Sequence, residues 1–205
     1  MNKGPIIKFI KRLPGPYFAT RDLARISGKS LSTVTQGLNS LCYHDAIIKI
    51  SRGIWAERSA QLLSAFDLVP FLMPDRQAYV SFVSALHLHG MIEQIPQSIS
   101  LATTAHTRTI RTSIAAFSLH RIAPEFFMGF DWYKSTGSFL IASPEKALLD
   151  CWYLSGRKGR NFGFFPELQV PKDFDFKKAR QWAKRIPDPR LRAHVMGKLE
   201  DFESG

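Results

Sequence analysis

Residues 20–57, TRDLARISGKSLSTVTQGLNSLCYHDAIIKISRGIWAE, constrain the fold more than any other stretch of the chain. Thr20 is placed to cap the helix RDLARIS, and Gly28 ends it as a C-terminal glycine. Ser30 then caps a further helix running to about Tyr43. Two helices of this size, joined by the three-residue turn Gly28-Lys29-Ser30, form a helix-turn-helix unit. Ahead of them PIIKFIKRL (5–13) carries apolar residues at 6, 7, 9, 10 and 13 and predicts a first helix, which Pro14-Gly15-Pro16 stops. Behind them the β-branched run Ile47-Ile48-Lys49-Ile50, a Ser51-Arg52-Gly53 turn and Ile54-Trp55 predict a hairpin. Three helices followed by a basic-tipped hairpin is the layout of a winged helix. The expected fold class is α+β, with this N-terminal winged helix-turn-helix over 1–58 and a mixed α/β domain after it.

The helix 31–43 is unusual in its polar residues. Leu31, Val34, Leu38, Leu41 and Cys42 fall on one arc at 100° per residue, and Trp55 reads as a core anchor beside them. Ser32, Gln36 and Tyr43 lie almost opposite, flanked by Thr33, Asn39 and Ser40. A face turned only to water favours Glu and Lys, which are better helix formers. Short uncharged hydrogen-bonding side chains suit a recognition helix in the major groove, where Gln and Asn pair with adenine and Ser or Thr with bases or phosphates. Lys29 and Ser30 at the helix start suit phosphate, and Arg52 at the hairpin tip suits an adjacent minor groove or backbone. The candidate DNA contacts are therefore Lys29, Ser30, Ser32, Thr33, Thr35, Gln36, Asn39, Tyr43 and Arg52. Winged helices also serve as protein–protein modules, so the alternative is an interaction module that binds a toxin or other protein partner directly, through the winged helix or the C-terminal domain.

Charge points the same way. Twenty-eight Lys and Arg against 17 Asp and Glu give a net charge of +11, and a basic chain implies an acidic partner, most often nucleic acid. Residues 1–58 carry +7, residues 59–150 carry −1 and residues 151–205 carry +5, so two basic ends flank a neutral middle. The two cysteines, Cys42 and Cys151, are too few for a disulfide framework and read as free thiols of a cytoplasmic protein. Lys8, Lys11 and Arg12 interrupt the N-terminal apolar run, so no signal peptide is expected. No apolar run reaches membrane-spanning length.

Residues 59–71 predict an amphipathic connecting helix, with Pro70 and Pro74 marking a boundary and 59–74 forming a linker. The domain 75–205 reads as α/β. AYVSFVSALHLHG is helical in its second half and stops at Gly90; SISLATT, FSLHRI and GSFLIAS are strand candidates; Pro144 opens the helix PEKALLDCWYL. RKGRN (157–161) is a basic loop, FDFKKARQWAKRI a basic amphipathic helix, Pro187-Asp188-Pro189 a turn, and a last helix runs from Arg190 to about Phe202.

Catalytic chemistry finds little footing. Gly28-Lys29-Ser30 mimics the end of a phosphate-binding loop, but the position needing the first glycine is Leu23 and the segment follows a helix. His87, His89, His106 and His120 lack the Cys pair or helical Glu of a zinc site and read as packing residues. Asp131, Glu145 and Asp150 would serve a metal-dependent nuclease, the least supported alternative, because no carboxylate pair precedes a Glu-x-Lys strand. Ser84 and Ser143 lack nucleophile-elbow glycines. No catalytic, cofactor-binding or metal-binding constellation is expected.

The order winged helix, YVSFVSALHLHG, SISLATT and ASPEKALLDCWYL resembles the AbiE-type (AbiEi) antitoxins, transcriptional regulators of type IV toxin–antitoxin, or abortive-infection, systems. Ser84-Ala85-Leu86 with His89-Gly90, and Ser143-Pro144-Glu145-Lys146 with Leu148-Leu149-Asp150, carry the resemblance, which extends over roughly residues 5–155. It implies a non-enzymatic autorepressor whose winged helix binds inverted repeats in its own operator and whose C-terminal domain acts as antitoxin. The functional partner it implies is a nucleotidyltransferase toxin, countered without a stable complex. Residues 143–146 would then be a structural helix start, with Pro at the first position and Glu suiting the helix dipole. Arg157, Lys158, Arg160, Lys177, Lys178, Arg180, Lys184 and Arg185 would form a second basic surface, for operator DNA or for RNA.

Overall fold

The computed structural model describes residues 4–58, 64–135, 138–157 and 168–204. The chain is mixed α/β and divides into two compact units, residues 1–72 with 111–115 and residues 73–110 with 116–205.

The first unit begins with α1 (Ile6–Ile10), followed by β1 (Tyr17–Ala19), α2 (Thr20–Ser27) and α3 (Leu31–Tyr43). The hairpin β2 (Ile47–Ser51) and β3 (Ile54–Glu57) comes next, and a 3-10 turn at Ala65–Leu68 runs into α4 (Val69–Leu72). Of the expected connecting helix, residues 59–63 lie outside the described residues, and residues 65–72 form this 3-10 turn and short helix. Gly28 closes α2 in the left-handed region (φ +65°), and the Ser30 hydroxyl caps α3 by accepting the Thr33 N–H at 3.1 Å. Gly53, at φ +77°, supplies the hairpin turn.

Two expectations need correction. Thr20 is the first residue of α2 and makes no capping bond; Ala19 holds the cap position. The Thr20 hydroxyl instead accepts the Trp55 Nε1–H at 2.9 Å and donates to Gly53 O, which ties α2 to the hairpin. The second correction is β1, which the proline-flanked segment concealed. It pairs antiparallel with β3 through Tyr17↔Ala56, Phe18↔Trp55 and Ala19↔Ile54, giving the sheet order β1-β3-β2.

The core of this unit joins Ile6, Phe9 and Ile10 of α1 to Phe18, Leu23, Val34, Leu38, Ile47 and Trp55. Each large apolar side chain here contributes roughly 1.5–3 kcal/mol by leaving water. α1 approaches α3 so closely that a Cβ on Gly37 would stand 2.8 Å from Ile6 Cγ1. Leu31, expected on the apolar arc, is the first residue of α3 and is 57% exposed.

The second unit is built on a six-stranded mixed sheet. Its strands are β4 (Ala78–Val80), β5 (Ile99–Thr103), β6 (Arg108–Arg111), β7 (Ala116–Arg121), β8 (Phe130–Trp132) and β9 (Leu140–Ala142), in the order β6-β7-β5-β4-β9-β8. β4 runs parallel to β9 and antiparallel to β5, β5 runs parallel to β7, and β8 is antiparallel to β9. The helices are α5 (Phe82–Leu88), α6 (Pro144–Ser155), α7 (Phe176–Ala183) and α8 (Pro189–Ser204). Helix α6 is the hub: every residue from Glu145 to Leu154 is buried. Such a helix has no amphipathic stripe, and PEKALLDCWYL shows none. The edge strands β6 and β8 escape the sequence because RTIR holds a single apolar residue and FDW is only three residues long.

Candidate nucleic-acid interface

Helix α3 presents its polar side as predicted. Ser32, Thr33, Thr35, Gln36, Asn39 and Tyr43 are all exposed, as are Ser30 and Arg52, while Lys29 is half-buried. The structure then separates residues that the sequence groups together. The Ser30 hydroxyl caps the helix and shares a 2.9 Å hydrogen bond with the Thr33 hydroxyl, and Thr35 donates to Leu31 O at 2.7 Å. These three hydroxyls are engaged locally, as short side chains near a helix start commonly are. The side chains of Ser32, Gln36 and Asn39 make no hydrogen bond among the described residues. They are i, i+4 and i+7, which stacks them in one row along the helix.

Lys29 stands in the turn before α3, and Arg52 stands at the tip of the hairpin, where Gly53 turns the chain. Lys49, on β2, lies with its Nζ 5.6 Å from the Trp55 ring centroid. Trp55 itself is 2% exposed and is a core residue, with its ring N–H spent on Thr20.

The second unit contains a different kind of constellation, which is sealed from solvent. Asp150 accepts hydrogen bonds from the Ser81 hydroxyl at 2.6 Å and the Tyr79 hydroxyl at 3.0 Å, and Lys146 forms an ion pair with it one helical turn away. The Lys146 Nζ also lies 3.6 Å from the Phe126 ring centroid. Burial raises the Asp150 pKa, opposed by Lys146, Ser81 and Tyr79; burial lowers that of Lys146, opposed by Asp150. The Tyr79 phenol is pushed well above its usual range, first by burial and then by the Asp150 carboxylate. Phe82, directly after Ser81, adopts φ +55°, an outlier for a bulky residue that the surrounding packing must hold. The network thus staples β4 and the start of α5 to α6.

The other candidates are placed separately. Glu145 is buried, accepts the Ser143 hydroxyl and receives the Asp175 N–H at 3.2 Å, so its carboxylate occupies the start of α6. Asp131 is exposed and accepts the Trp132 N–H at 2.7 Å. Asp131, Glu145 and Asp150 are therefore not gathered into one site. His89 bonds Ala142 O at 2.7 Å, His120 meets the Phe82 ring edge-on at 4.9 Å, and His106 is exposed. The His87 Nδ1 is buried with no hydrogen-bond partner among the described residues. Among those residues no three His, Cys, Asp or Glu side chains group to hold a metal ion.

The basic C-terminal residues divide into three sets. Lys158 and Arg160 lie outside the described residues. Arg157 donates to Tyr153 Oη at 3.0 Å and to Arg121 O at 3.2 Å, and Arg180 pairs with Glu203. Lys177, Lys184 and Arg185 are exposed, and Lys178 is half-buried over the Trp182 ring. Sequence reasoning missed the aromatic residues beside Lys178: Trp132, Tyr133 and Trp182. The signal was FDWYK at 130–134, whose three aromatics in four residues are separated only by an acid.

Comparison of the sequence with protein-family models and with curated proteins gives no match. No described helix is long and apolar enough to cross a membrane.

Proposed function

We propose that the chain is a sequence-specific DNA-binding autorepressor whose first unit is a winged helix, with α3 as the recognition helix and the β2–β3 hairpin as the wing. One observation carries this reading: Ser32, Gln36 and Asn39 form an exposed row with unspent side-chain hydrogen-bonding groups on a helix that Lys29 precedes, in a unit whose hairpin tip exposes Arg52. Side chains of this length reach base edges, whereas the flanking lysine and arginine neutralise phosphates and supply sequence-independent affinity. Gel-shift titration on the protein's own upstream DNA tests it. Tighter binding to that DNA than to a scrambled duplex of equal length at fixed salt supports the reading, and equal affinity sinks it.

The resemblance to AbiE-type antitoxins extends the proposal. The second unit would provide antitoxin activity against a nucleotidyltransferase toxin encoded beside it, in the cytoplasm. Growth rescue on co-expression with that neighbouring enzyme is the test, and no rescue removes the antitoxin half while leaving the repressor half standing. Tyr43, 86% exposed, and Leu31, 57% exposed, favour a second reading in which α3 binds a protein partner. Co-purification of a stoichiometric partner without a DNA shift would select it.

A further inference from the structure

A groove of about 690 Å³ opens in the second unit between β8, the turn after it, the end of β9 and α7. That volume lies within the range of about 300–1,000 Å³ that small-molecule sites occupy. Its walls are aromatic: Trp132 is 52% exposed, Tyr133 follows it, and Trp182 of α7 faces them. Trp182 is seated by Gly129, where an added Cβ would stand 3.0 Å from the indole ring. Tyr133 is braced from behind by Phe139, nearly parallel at 4.9 Å. Of these rings Trp132 is the one that offers a flat, apolar and largely solvent-exposed surface.

Two cations lie at the same groove. The Lys178 Nζ sits 4.8 Å from the Trp182 centroid and pairs with Glu145 Oε2 at 4.0 Å, its side chain 44% exposed, and the Lys134 Nζ sits 5.0 Å from the Tyr133 centroid. Lys134 is held in the left-handed region at φ +50°, a conformation uncommon for lysine. A cationic ligand would meet ring faces already taken by ammonium groups. An anion cannot seat at the start of α6, because the Glu145 carboxylate already occupies it. A ligand suited to this groove therefore needs a flat π-surface for the indoles and a negative group placed outward, beside Lys134 and Lys178. Asp131 at the rim adds an acceptor for an exocyclic amine.

We propose that this groove binds a nucleotide, with the base stacked against Trp132 and the phosphate held by Lys134 and Lys178. Stacking on aromatic side chains is tolerant of base identity, so the groove would not read a sequence. The nucleotide is either free in solution or the end of a single strand. Lys178 and Trp182 are one turn apart on α7 and Arg185 follows two residues past its end, so a strand continuing that way would meet further positive charge.

Fluorescence anisotropy with a labelled single-stranded oligoribonucleotide of eight residues tests the proposal, with adenosine monophosphate and unlabelled oligonucleotide as competitors. Wild-type protein is expected to bind the oligonucleotide. Trp132→Ala should weaken binding about tenfold or more, which is the scale of one lost base stack. Lys178→Gln should weaken it and flatten its salt dependence. Trp132 is half-exposed, so its variant should keep the wild-type thermal midpoint; Trp132→Phe controls for folding and should retain most of the binding. Displacement by the mononucleotide at sub-millimolar concentration identifies a free nucleotide as the ligand, and displacement by the oligonucleotide alone identifies a strand end. Absence of wild-type binding to both, or unchanged binding in both Trp132→Ala and Lys178→Gln, overturns the proposal. Duplex binding to the upstream DNA should be the same in Trp132→Ala as in wild type, which separates failure of the groove from failure of the repressor reading.

Discussion

An added Cβ at Gly37 would stand 2.8 Å from Ile6 Cγ1, closer than side-chain carbons approach in folded proteins. A glycine inside a helix ordinarily costs about 1 kcal/mol relative to alanine, so α3 forgoes propensity to let α1 lie against it. Gly37→Ala is therefore expected to destabilise the first unit by about 1–3 kcal/mol, since overpacking outweighs the propensity gain. Ile6→Ala should reduce that penalty, and a double-mutant cycle by urea denaturation should give a coupling above about 0.5 kcal/mol. Additive losses would place the conflict elsewhere.

On α3, Gln36 and Lys29 should fail differently. If Gln36 reads a base edge, Gln36→Ala relaxes preference at one operator position at a cost of roughly 1–3 kcal/mol and leaves scrambled DNA unaffected. If Lys29 contacts phosphate, Lys29→Ala weakens every duplex alike and lowers the slope of log affinity against log salt by about one. Thr35→Val should change little in base preference, because the Thr35 hydroxyl is already given to Leu31 O. Titrations of each variant on specific and scrambled duplexes check all three, and a uniform loss for Gln36→Ala contradicts the placing of α3.

The outcome at Thr35 marks where sequence reading stops. Periodicity and caps located α2, α3 and the hairpin, because Gly28, Ser30 and Gly53 act locally and their effect is visible in a few adjacent residues. Thr20, Leu31 and the engaged hydroxyls of α3 were misjudged or left undivided for the opposite reason. Whether Thr20 caps a helix or receives the Trp55 indole is decided 35 residues away. β1 likewise exists because β3 pairs with it, and TYR-PHE-ALA alone after a proline turn gives no alternation to detect. The groove of the second unit was illegible as a site, since Trp132 and Trp182 come from segments 50 residues apart and Gly129 gives no sign in sequence that an indole rests on it. FDWYK offered only the composition.

The buried pair of the second unit makes a sharper energetic claim. Lys146→Met would leave the Asp150 carboxylate with the Tyr79 and Ser81 hydroxyls but no counter-charge, and is expected to cost about 3–5 kcal/mol. Tyr79→Phe removes one hydrogen bond to a charged group and should cost about 1.5–3 kcal/mol. The double variant Lys146→Met with Asp150→Asn removes both charges and should be more stable than Lys146→Met alone. Urea midpoints rank the three, and a double variant no more stable than the single would mean the pair is not held as ions.

Cys151, next to Asp150 on α6, should make the fold sensitive to alkali. Burial, and then the neighbouring carboxylate, push its thiol well above the ordinary value, while in the unfolded chain it ionises near pH 9. Above that pH the unfolded state binds fewer protons than the folded one, so stability falls as pH rises. Tyr79 acts in the same direction from about pH 10 upward, because its folded pKa is raised too. Lys146, with a lowered folded pKa, acts in the opposite direction, but it is present in wild type and in Cys151→Ala alike. The difference between the two proteins therefore isolates the thiol. Between pH 8 and pH 10 wild type should lose about 1–2 kcal/mol more than Cys151→Ala, measured by urea unfolding under reducing conditions. Parallel pH profiles would mean that the thiol ionises in the folded state, and that α6 opens to solvent at Cys151.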